Sequence, residues 1–481
     1  MGKIERLTGD LASAIGRERV KTDSDITDRH AVGGLAPSVV AFPKDIKQVK
    51  EIVNLAVRDG VSIVPWGSGT KQCMGDLPSR VELVISTEKM NHMLDVDVAN
   101  LTITVESGVK FRDIQARLAT QEDRCYLPLD ELGKETDDII CSERTRSGCF
   151  LPLDPPFGDK ATIGGIIAAN SSGPRKLLYG LPRDMVLGVR FVTPKGEIVG
   201  AGGKTVKNVS GYDVSKLMIG SFGTLGIICE MTLRLLPLPE RMETMILGFA
   251  SLSEAARFAD ALLRTKLIPA AVEIMNAGAV DAVCAKAGIS AKGATCNVAV
   301  AMEGFDEAVG RMKKEMAAMG ERFGATARAE LDEGGHNPFW LSFGNLRVMD
   351  KEKSNDILSV RLSYPISEWE KIYAICDETL ASEGLKHTMV CHAGSGVTAI
   401  DIMPDGKDRH DLLIQIIASL REGCEAKGGQ LTVECAPSQA RKSITTFGRP
   451  GAVSVIMERL KKAIDPSGIM NPGRFFSLTQ Q

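Results

Sequence analysis

The 481-residue chain contains no C-x-x-C pair, and its eleven cysteines are an odd number. Neither fact suits a disulfide framework, so reduced thiols and a cytoplasmic setting are expected. Histidine is scarce, with six in all and none between positions 93 and 335. There is no run of about 18 consecutive apolar residues, so no membrane span is expected. The stretch Met1-Gly-Lys-Ile-Glu-Arg6 has no apolar core, so no signal peptide is expected there. Any membrane association would go through a partner. The net charge is only -3, which points to neither nucleic acid nor an anionic surface. A nicotinamide-binding unit needs strand, G-x-G-x-x-G and helix, and that spacing is missing.

What is abundant is glycine, with 48 residues. Such an excess serves turns, or backbone that must come close to a ligand. The apolar fraction of 44% and the charged fraction of 25% are those of a soluble globular protein of several domains. Residues 1–35 read as a helical lead-in. Val39–Pro43 and Val61–Val64 read as strands around a helix marked by Ile46, Val49, Ile52, Val53 and Ala56. This β-α-β start predicts a mixed α and β class. More strands are expected at 82–85 and 101–105, a helix at 110–119, and a hairpin at 189–199. Residues 119–150 read as an insertion with a short echo: Cys125-Tyr-Leu-Pro-Leu-Asp130 returns as Cys149-Phe-Leu-Pro-Leu-Asp154.

Pro237 and Pro239 mark a boundary. Beyond it, Leu252, Ala255, Ala259, Leu262 and Leu263 share one helix face, and a second strand–helix–strand unit spans about 357–434. Two such units predict a separate antiparallel α+β domain over 239–440. Residues 441–481 carry a helix at 452–464 and then a run of turns.

Three glycine-rich motifs carry the chemistry. Pro65-Trp66-Gly67-Ser68-Gly69-Thr70, with Gly75 beyond, follows directly on a strand. Its backbone N–H groups can converge on a diphosphate. No Gly-Lys-Ser/Thr follows, so it is not a Walker loop, and the plain alternative is a tight turn. The second is Ala161-Thr162-Ile-Gly164-Gly165-Ile-Ile-Ala168-Ala-Asn170-Ser171-Ser-Gly173; its alternative is a small-residue helix packed on a neighbour. The third runs Lys207-Asn-Val-Ser-Gly-Tyr-Asp213 and on through Gly220-Ser-Phe-Gly223-Thr-Leu-Gly226-Ile227-Ile228. Tyr212 reads as structural.

In this order the motifs resemble the FAD-linked oxidase family that includes vanillyl-alcohol oxidase and p-cresol methylhydroxylase. The run from Ala161 to Leu236, with Ser172-Gly-Pro-Arg175 and Arg183-Asp184, is similar to the FAD-binding subunits of bacterial glycolate oxidases. The resemblance implies an α+β protein. Its FAD-binding domain, of two α/β subdomains, would span 36–238, followed by a ferredoxin-like cap with an antiparallel sheet. It implies that the three motifs, together with Pro152, Asp154 and Asn471, hold FAD. Some relatives attach the flavin through a His in the first glycine loop. Here that loop has none, so non-covalent FAD is expected.

Metal-dependent relatives carry His-x-Gly-Asp-Gly-Asn-x-His and a later Glu-His, which grip a hydroxy acid through a divalent ion. Here the segments read His392-Ala-Gly-Ser-Gly-Val-Thr-Ala399 and Glu434-Cys435. His392 and Glu434 remain, while Ala399 and Cys435 stand where imidazoles would, so no metal is expected. Arg361, in Arg361-Leu-Ser-Tyr-Pro365, resembles the family's substrate-carboxylate cation, a role that suits a guanidinium. Its plain alternative is a surface arginine on an edge strand. Arg347 is a second candidate, and His392 the candidate base. Cys125, Cys141 and Cys149 match no four-thiolate cluster spacing.

These features imply oxidation of a 2-hydroxy acid such as glycolate or D-lactate. Electrons would pass through FAD to an iron–sulfur partner or second flavin subunit. The other reading is a non-catalytic FAD-binding relay or assembly subunit, favoured by the broken metal motif.

Overall fold

The computed structural model describes residues 2–119, 148–204, 212–289, 294–346, 357–403, 409–437, 439–448, 451 and 453–474. Cys125, Cys141 and Arg347 lie outside them. Among the described residues the N-terminal half holds two sheets. The first comprises β1 (Val20–Lys21), β2 (Val39–Ala41), β3 (Ile63–Trp66) and β4 (Leu83–Ser86), in the order β1-β2-β4-β3. β4 runs parallel to both β2 and β3. The helix Ile46–Asp59 makes the crossover and buries the five apolar positions that its spacing predicted. Asp45 caps its start by accepting from the Gln48 N–H at 2.9 Å, and left-handed Gly60 ends it.

The second sheet comprises β5 (Met93–Asp97), β6 (Thr102–Glu106), β8 (Val186–Val192), β9 (Ile198–Gly202) and β10 (Ile227–Arg234). Its order is β5-β6-β10-β8-β9, antiparallel throughout. β7 (Cys149–Phe150) pairs separately with β11 (Leu236–Pro237). β10 joins the two halves of this region. Ile227 and Cys229 enter the core of the first sheet, whereas Ile228, Met231 and Leu233 enter that of the second. A register shift between Ile228 and Glu230 interrupts the alternation, which lets Ile228 and Met231 share one core despite their odd spacing.

The C-terminal half is one eight-stranded antiparallel sheet. Its strands are β12 (Arg241–Phe249), β13 (Ala271–Asn276), β14 (Cys296–Gly304), β15 (Ala327–Leu331), β16 (Leu358–Ser363), β17 (Lys386–His392), β18 (Val397–Met403) and β19 (Gln430–Cys435). The order is β15-β12-β14-β13-β17-β18-β16-β19. It divides into two ferredoxin-like units of the same strand order, β12–β15 and β16–β19. They are stitched edge to edge through β13 and β17. The helices Leu252–Leu263, Asp306–Arg322, Trp369–Ser382 and His410–Glu425 supply the apolar faces packed on the sheet. The α+β class with an antiparallel cap is therefore as expected. Arg361 is not on an edge, because β16 lies between β18 and β19. Tyr212 is 98% exposed, so it packs on nothing and its structural reading is withdrawn.

The chain end returns to the first sheet. Ile469 and Met470 join its core, the Ile63 N–H donates to Ile469 O at 2.7 Å, and the Asn471 N–H donates to Ile63 O at 2.7 Å. Lys461 pins this return. Its ammonium donates to Thr224 O (2.6 Å), Met470 O (2.8 Å) and the fully buried Asp465 carboxylate (2.6 Å). Lys461→Met would leave Asp465 buried without its cation, a loss of about 3 kcal/mol after allowing for the lysine's partial exposure. Urea unfolding should show the midpoint fall. An unchanged midpoint would show that Asp465 is satisfied by backbone donors alone.

Candidate FAD cleft and domain interface

The three motifs, spread over residues 65–228, converge with one another and with the C-terminal turn at Asn471. A Cβ on Gly67 would lie 2.2 Å from Thr162 Oγ1, so the first loop touches the second motif as only glycine allows. Gly223, at φ +66°, brings the third motif against the Pro65 ring, where a Cβ would approach to 2.8 Å. The Phe222 N–H donates to Ala168 O at 2.9 Å and the Gly220 N–H to Ile167 O at 3.1 Å, joining the third motif to the second. Asn471 Nδ2 donates to Phe222 O at 2.7 Å, fastening the C-terminal turn to the same place.

These contacts frame a cleft of about 680 Å3. Of the residues expected to hold the cofactor, it is lined by Pro65, Trp66, Gly67, Gly164, Gly165, Ala168, Gly223, Gly226, Ile227, Ile228 and Asn471. Thr162 and Ala161 stand behind this wall: Thr162 Oγ1 caps the helix Ile163–Ala169, and Ala161 O accepts from the Phe111 N–H. Ser68 is exposed, and Ser68, Gly69 and Thr70 do not line the cleft. Gly75 packs against the Arg474 carbonyl instead. Ser171 is tied to the helix end, its N–H donating to Ile166 O.

Sequence reasoning missed Lys71, Gln72, Thr87, Ser107 and Arg474 in the lining. Lys71 and Arg474 bring positive charge to the lining. Arg474 is 2% exposed, and burial lowers its pKa to about 10, so it stays charged at neutral pH. The cleft also offers unmet hydrogen-bonding capacity. Ser107 Oγ, Asn471 Oδ1 and Arg474 Nε, all from the lining, are buried with no hydrogen-bond partner among the described residues, as is Asn170 Oδ1 next to the lining residue Ala169. Asn170 and Asn471 both adopt left-handed backbone, φ +46° and +44°. A Cβ at Gly165 would meet only Thr162 Oγ1, at 3.2 Å, so that position opens onto the cleft. Orphaned donors and acceptors, two cations and close-approach glycines suit a phosphate-bearing dinucleotide.

Pro152, Asp154 and Gly173 lie elsewhere, toward the cap. Asp154 accepts from the Gly173 N–H (3.0 Å) and the Arg175 N–H (2.8 Å). Pro152 is buried beside it. The Arg175 side chain, 2% exposed, crosses to the cap and meets Glu303 at 2.8 Å. Tyr179 O–H donates to the other Glu303 oxygen at 2.6 Å. His336 adjoins Arg175 and Glu303, its Nδ1 lies 2.9 Å from Thr244 Oγ1, and Trp340 Nε1–H donates to that hydroxyl at 2.8 Å. The network adjoins a 540 Å3 cavity lined by residues of both domains.

The remnants of the metal motif have found other partners. His392 Nδ1 lies 2.6 Å from Glu273 Oε2. Arg361 Nε lies 3.4 Å from Glu434 Oε1. Glu434 is the extra residue of a bulge, since Ser359 pairs with Cys435 and Val360 with Val433. The Cys435 thiol meets Cys73, in the loop after the first motif, and this contact pulls the Cys73 thiol below its ordinary range. Among the described residues no group of three His, Cys, Asp or Glu is placed to hold a metal.

The interface carboxylates titrate in opposite senses. Burial pushes Glu303 up, but Arg175, His336 and Tyr179 together outweigh it and bring it down to about 2. Burial dominates at Asp154 and raises it to about 6, against the pull of Arg175. A raised folded pKa means that the native state holds the proton more tightly. Asp154 therefore contributes stability below about pH 4 that is lost as pH rises through 6. Asp154→Asn lacks this component. Relative to the variant, the wild type should lose up to about 3 kcal/mol of unfolding free energy between pH 4 and 7. Parallel pH curves for the two proteins would rule out the perturbed carboxyl.

Comparison with known proteins agrees with this architecture. Residues 37–130 and 141–202 match the FAD binding domain family, and residues 238–475 match the C-terminal domain of FAD linked oxidases. The glycolate oxidase subunit GlcD of Bacillus subtilis is 29% identical over 447 residues, covering 92% of this chain and 89% of that one. A D-2-hydroxyglutarate dehydrogenase of Xanthomonas citri pv. viticola is 27% identical over 461 residues, covering 92% and 89%. Among solved structures, p-cresol methylhydroxylase with substrate bound superposes with a TM-score of 0.74 at 17% identity, covering 98% of this chain and 97% of that one. With its paired family matches, its glycine-framed cleft and its antiparallel cap, the chain belongs to the FAD-linked oxidases and is a flavoprotein oxidoreductase with FAD as its cofactor.

Proposed function

We propose that this chain oxidises a small 2-hydroxy acid, of the glycolate or D-lactate kind, on non-covalently held FAD, and passes the electrons to a separate iron–sulfur partner. The observation that carries the reading is the pairing of Arg361 with Glu434 in the bulge of β19. It sets a half-exposed cation beside the remnant of a substrate-gripping motif. The relatives named for glycolate and D-2-hydroxyglutarate share one substrate chemistry, a carboxylate next to a carbinol.

FAD, when bound, supplies the two-electron acceptor, and the redox chemistry is the cofactor's own. Pro65–Gly67, Gly164-Gly165, Gly223–Ile228 and Asn471 would hold it, with Lys71 and Arg474 opposite its phosphates. Asp154 and Gly173 would bound its cap-facing side. The protein's part is position and proton management. Arg361 would bind the substrate carboxylate, for which a guanidinium offers two parallel donors. His392 would take the hydroxyl proton. A separate acceptor is supported by the absence of a cluster spacing in the sequence and by the naming of a relative as a subunit.

The relay reading keeps one supporting observation: His392 and Glu434 are each engaged by a different neighbour, not by a common ion. The test is anaerobic. Glycolate or D-lactate added to the purified flavoprotein should bleach the oxidised-flavin absorbance. Arg361→Met should raise KM by about 10-fold or more, as expected for loss of the substrate carboxylate's half-exposed charge partner, with bound flavin unchanged. A flavin that stays oxidised with every 2-hydroxy acid tried would sink the catalytic reading and favour the relay.

A further inference from the structure

Glu273 is a carboxylic acid that the proposed chemistry does not yet use, and it is 1% exposed. It sits on β13 directly opposite His392 on β17 in antiparallel register, so both side chains leave the same face of the sheet. That register lies in the seam between the two ferredoxin-like units, where β13 and β17 share only three residue pairs. The Oε2–Nδ1 distance is 2.6 Å. The imidazole is 12% exposed, and its ring lies 6.4 Å from that of Phe343.

Beyond His392 the chain turns sharply at Ala393–Ser395 and meets the FAD-binding half. A Cβ on Gly394 would come within 2.6 Å of the Leu177 side chain. Leu177 belongs to the short helix Lys176–Tyr179, which directly follows Arg175 and the second glycine motif. The pair is thus presented at the domain boundary, on the cap side of the segment that carries Asn170 and Gly173.

A buried carboxyl at this distance from one ring nitrogen does two things. It removes the rotation that would exchange the two nitrogens, and it fixes which of them carries the shared proton. We infer that Glu273 is the positioning residue of His392, holding Nδ1 so that any proton His392 exchanges with a substrate passes through Nε2. The inference rests on the proposed hydroxy-acid chemistry for its catalytic consequence, though not for its structural content. In the balanced step bound FAD would supply the two-electron acceptor for the hydrogen leaving the carbinol carbon. The hydroxyl proton goes to Nε2, a step that requires Glu273 as the carboxylate accepting from Nδ1–H, and the carbinol carbon becomes a carbonyl.

Two measurements separate the inference from the reading beneath it. The first needs no substrate. Histidine-labelled holoprotein, observed by long-range proton–nitrogen correlation, should show His392 in one fixed tautomer, assigned by its loss in His392→Gln. Glu273→Gln should shift its ring-nitrogen resonances while the other histidines stay in place. Fast tautomer averaging at His392 in the wild-type protein would overturn the inference before any variant is made. So would a His392 spectrum that Glu273→Gln leaves unmoved. The second is kinetic. With a hydroxy acid that reduces the wild-type flavin, Glu273→Gln should lower kcat by about 10–100-fold with KM nearly constant, and Glu273→Asp should recover part of it. An equal loss in a general stability measurement with kcat unchanged would make Glu273 a packing residue. If no hydroxy acid reduces the flavin, the proposed function fails while the spectroscopic arm still decides the role of Glu273.

Discussion

The buried ion pair of Arg175 and Glu303 is the contact on which the geometry of the interface depends. Neither group is worth burying alone, because an unpaired charge in a low-dielectric interior costs several kcal/mol. Here the pair is completed by its surroundings. Tyr179 fills the second Glu303 oxygen, His336 sits between the charges, and Thr244 and Trp340 hold His336. The Arg175 backbone N–H meanwhile donates to Asp154. A network satisfied at every member admits one arrangement of its parts. That arrangement sets the cap against the segment leaving the second glycine motif, and so sets the position of anything the cap offers to the cofactor.

The cleft follows a different logic. Its walls come from loops, and loops hold a shape only where something fixes them. Here the fixing is mutual. Gly67 admits Thr162, Gly223 admits Pro65, and Asn471 bonds the carbonyl of Phe222. Each glycine allows one strand-end loop to lie against another, and the ligand-facing backbone is what remains between them. Several glycines that read as phosphate-binding thus act first on protein neighbours. Gly75 is the clearest case, closed against Arg474 and absent from the lining.

Much of the fold was legible because burial enforces periodicity. The helix Ile46–Asp59 and the helix Leu252–Leu263 each bury a stripe that the spacing alone displays. The strand Met93–Asp97 was not legible, since a half-exposed edge strand with Leu94 outward and Asp95 and Asp97 in its run lacks clean alternation. The helix Glu333–Gly344 was not legible either. Gly334, Gly335 and Pro338 argue against it locally, and it forms because His336, Phe339, Trp340 and Phe343 are buried against the cap. The glycine motifs located the cleft because chemistry compresses them into short runs. The interface network left no such trace: Arg175 is 128 residues from Glu303 and 161 from His336, so only the fold brings them together.

The same reasoning reinterprets the damaged metal motif. A divalent ion would have drawn the imidazole and the carboxylate toward one centre. Without the other imidazoles, each surviving group lies against a charged neighbour of its own. His392 turns to a carboxyl on the adjacent strand and Glu434 to a guanidinium. The two solutions differ in electrostatic character. Glu434 faces the Arg361 guanidinium, a planar cation suited to a carboxylate partner. His392 is held to a buried acid and so keeps a proton-exchanging group at the domain boundary. Under the proposed function these pairs would supply a charge for the substrate carboxylate and a site for the hydroxyl proton, with side chains in place of a metal.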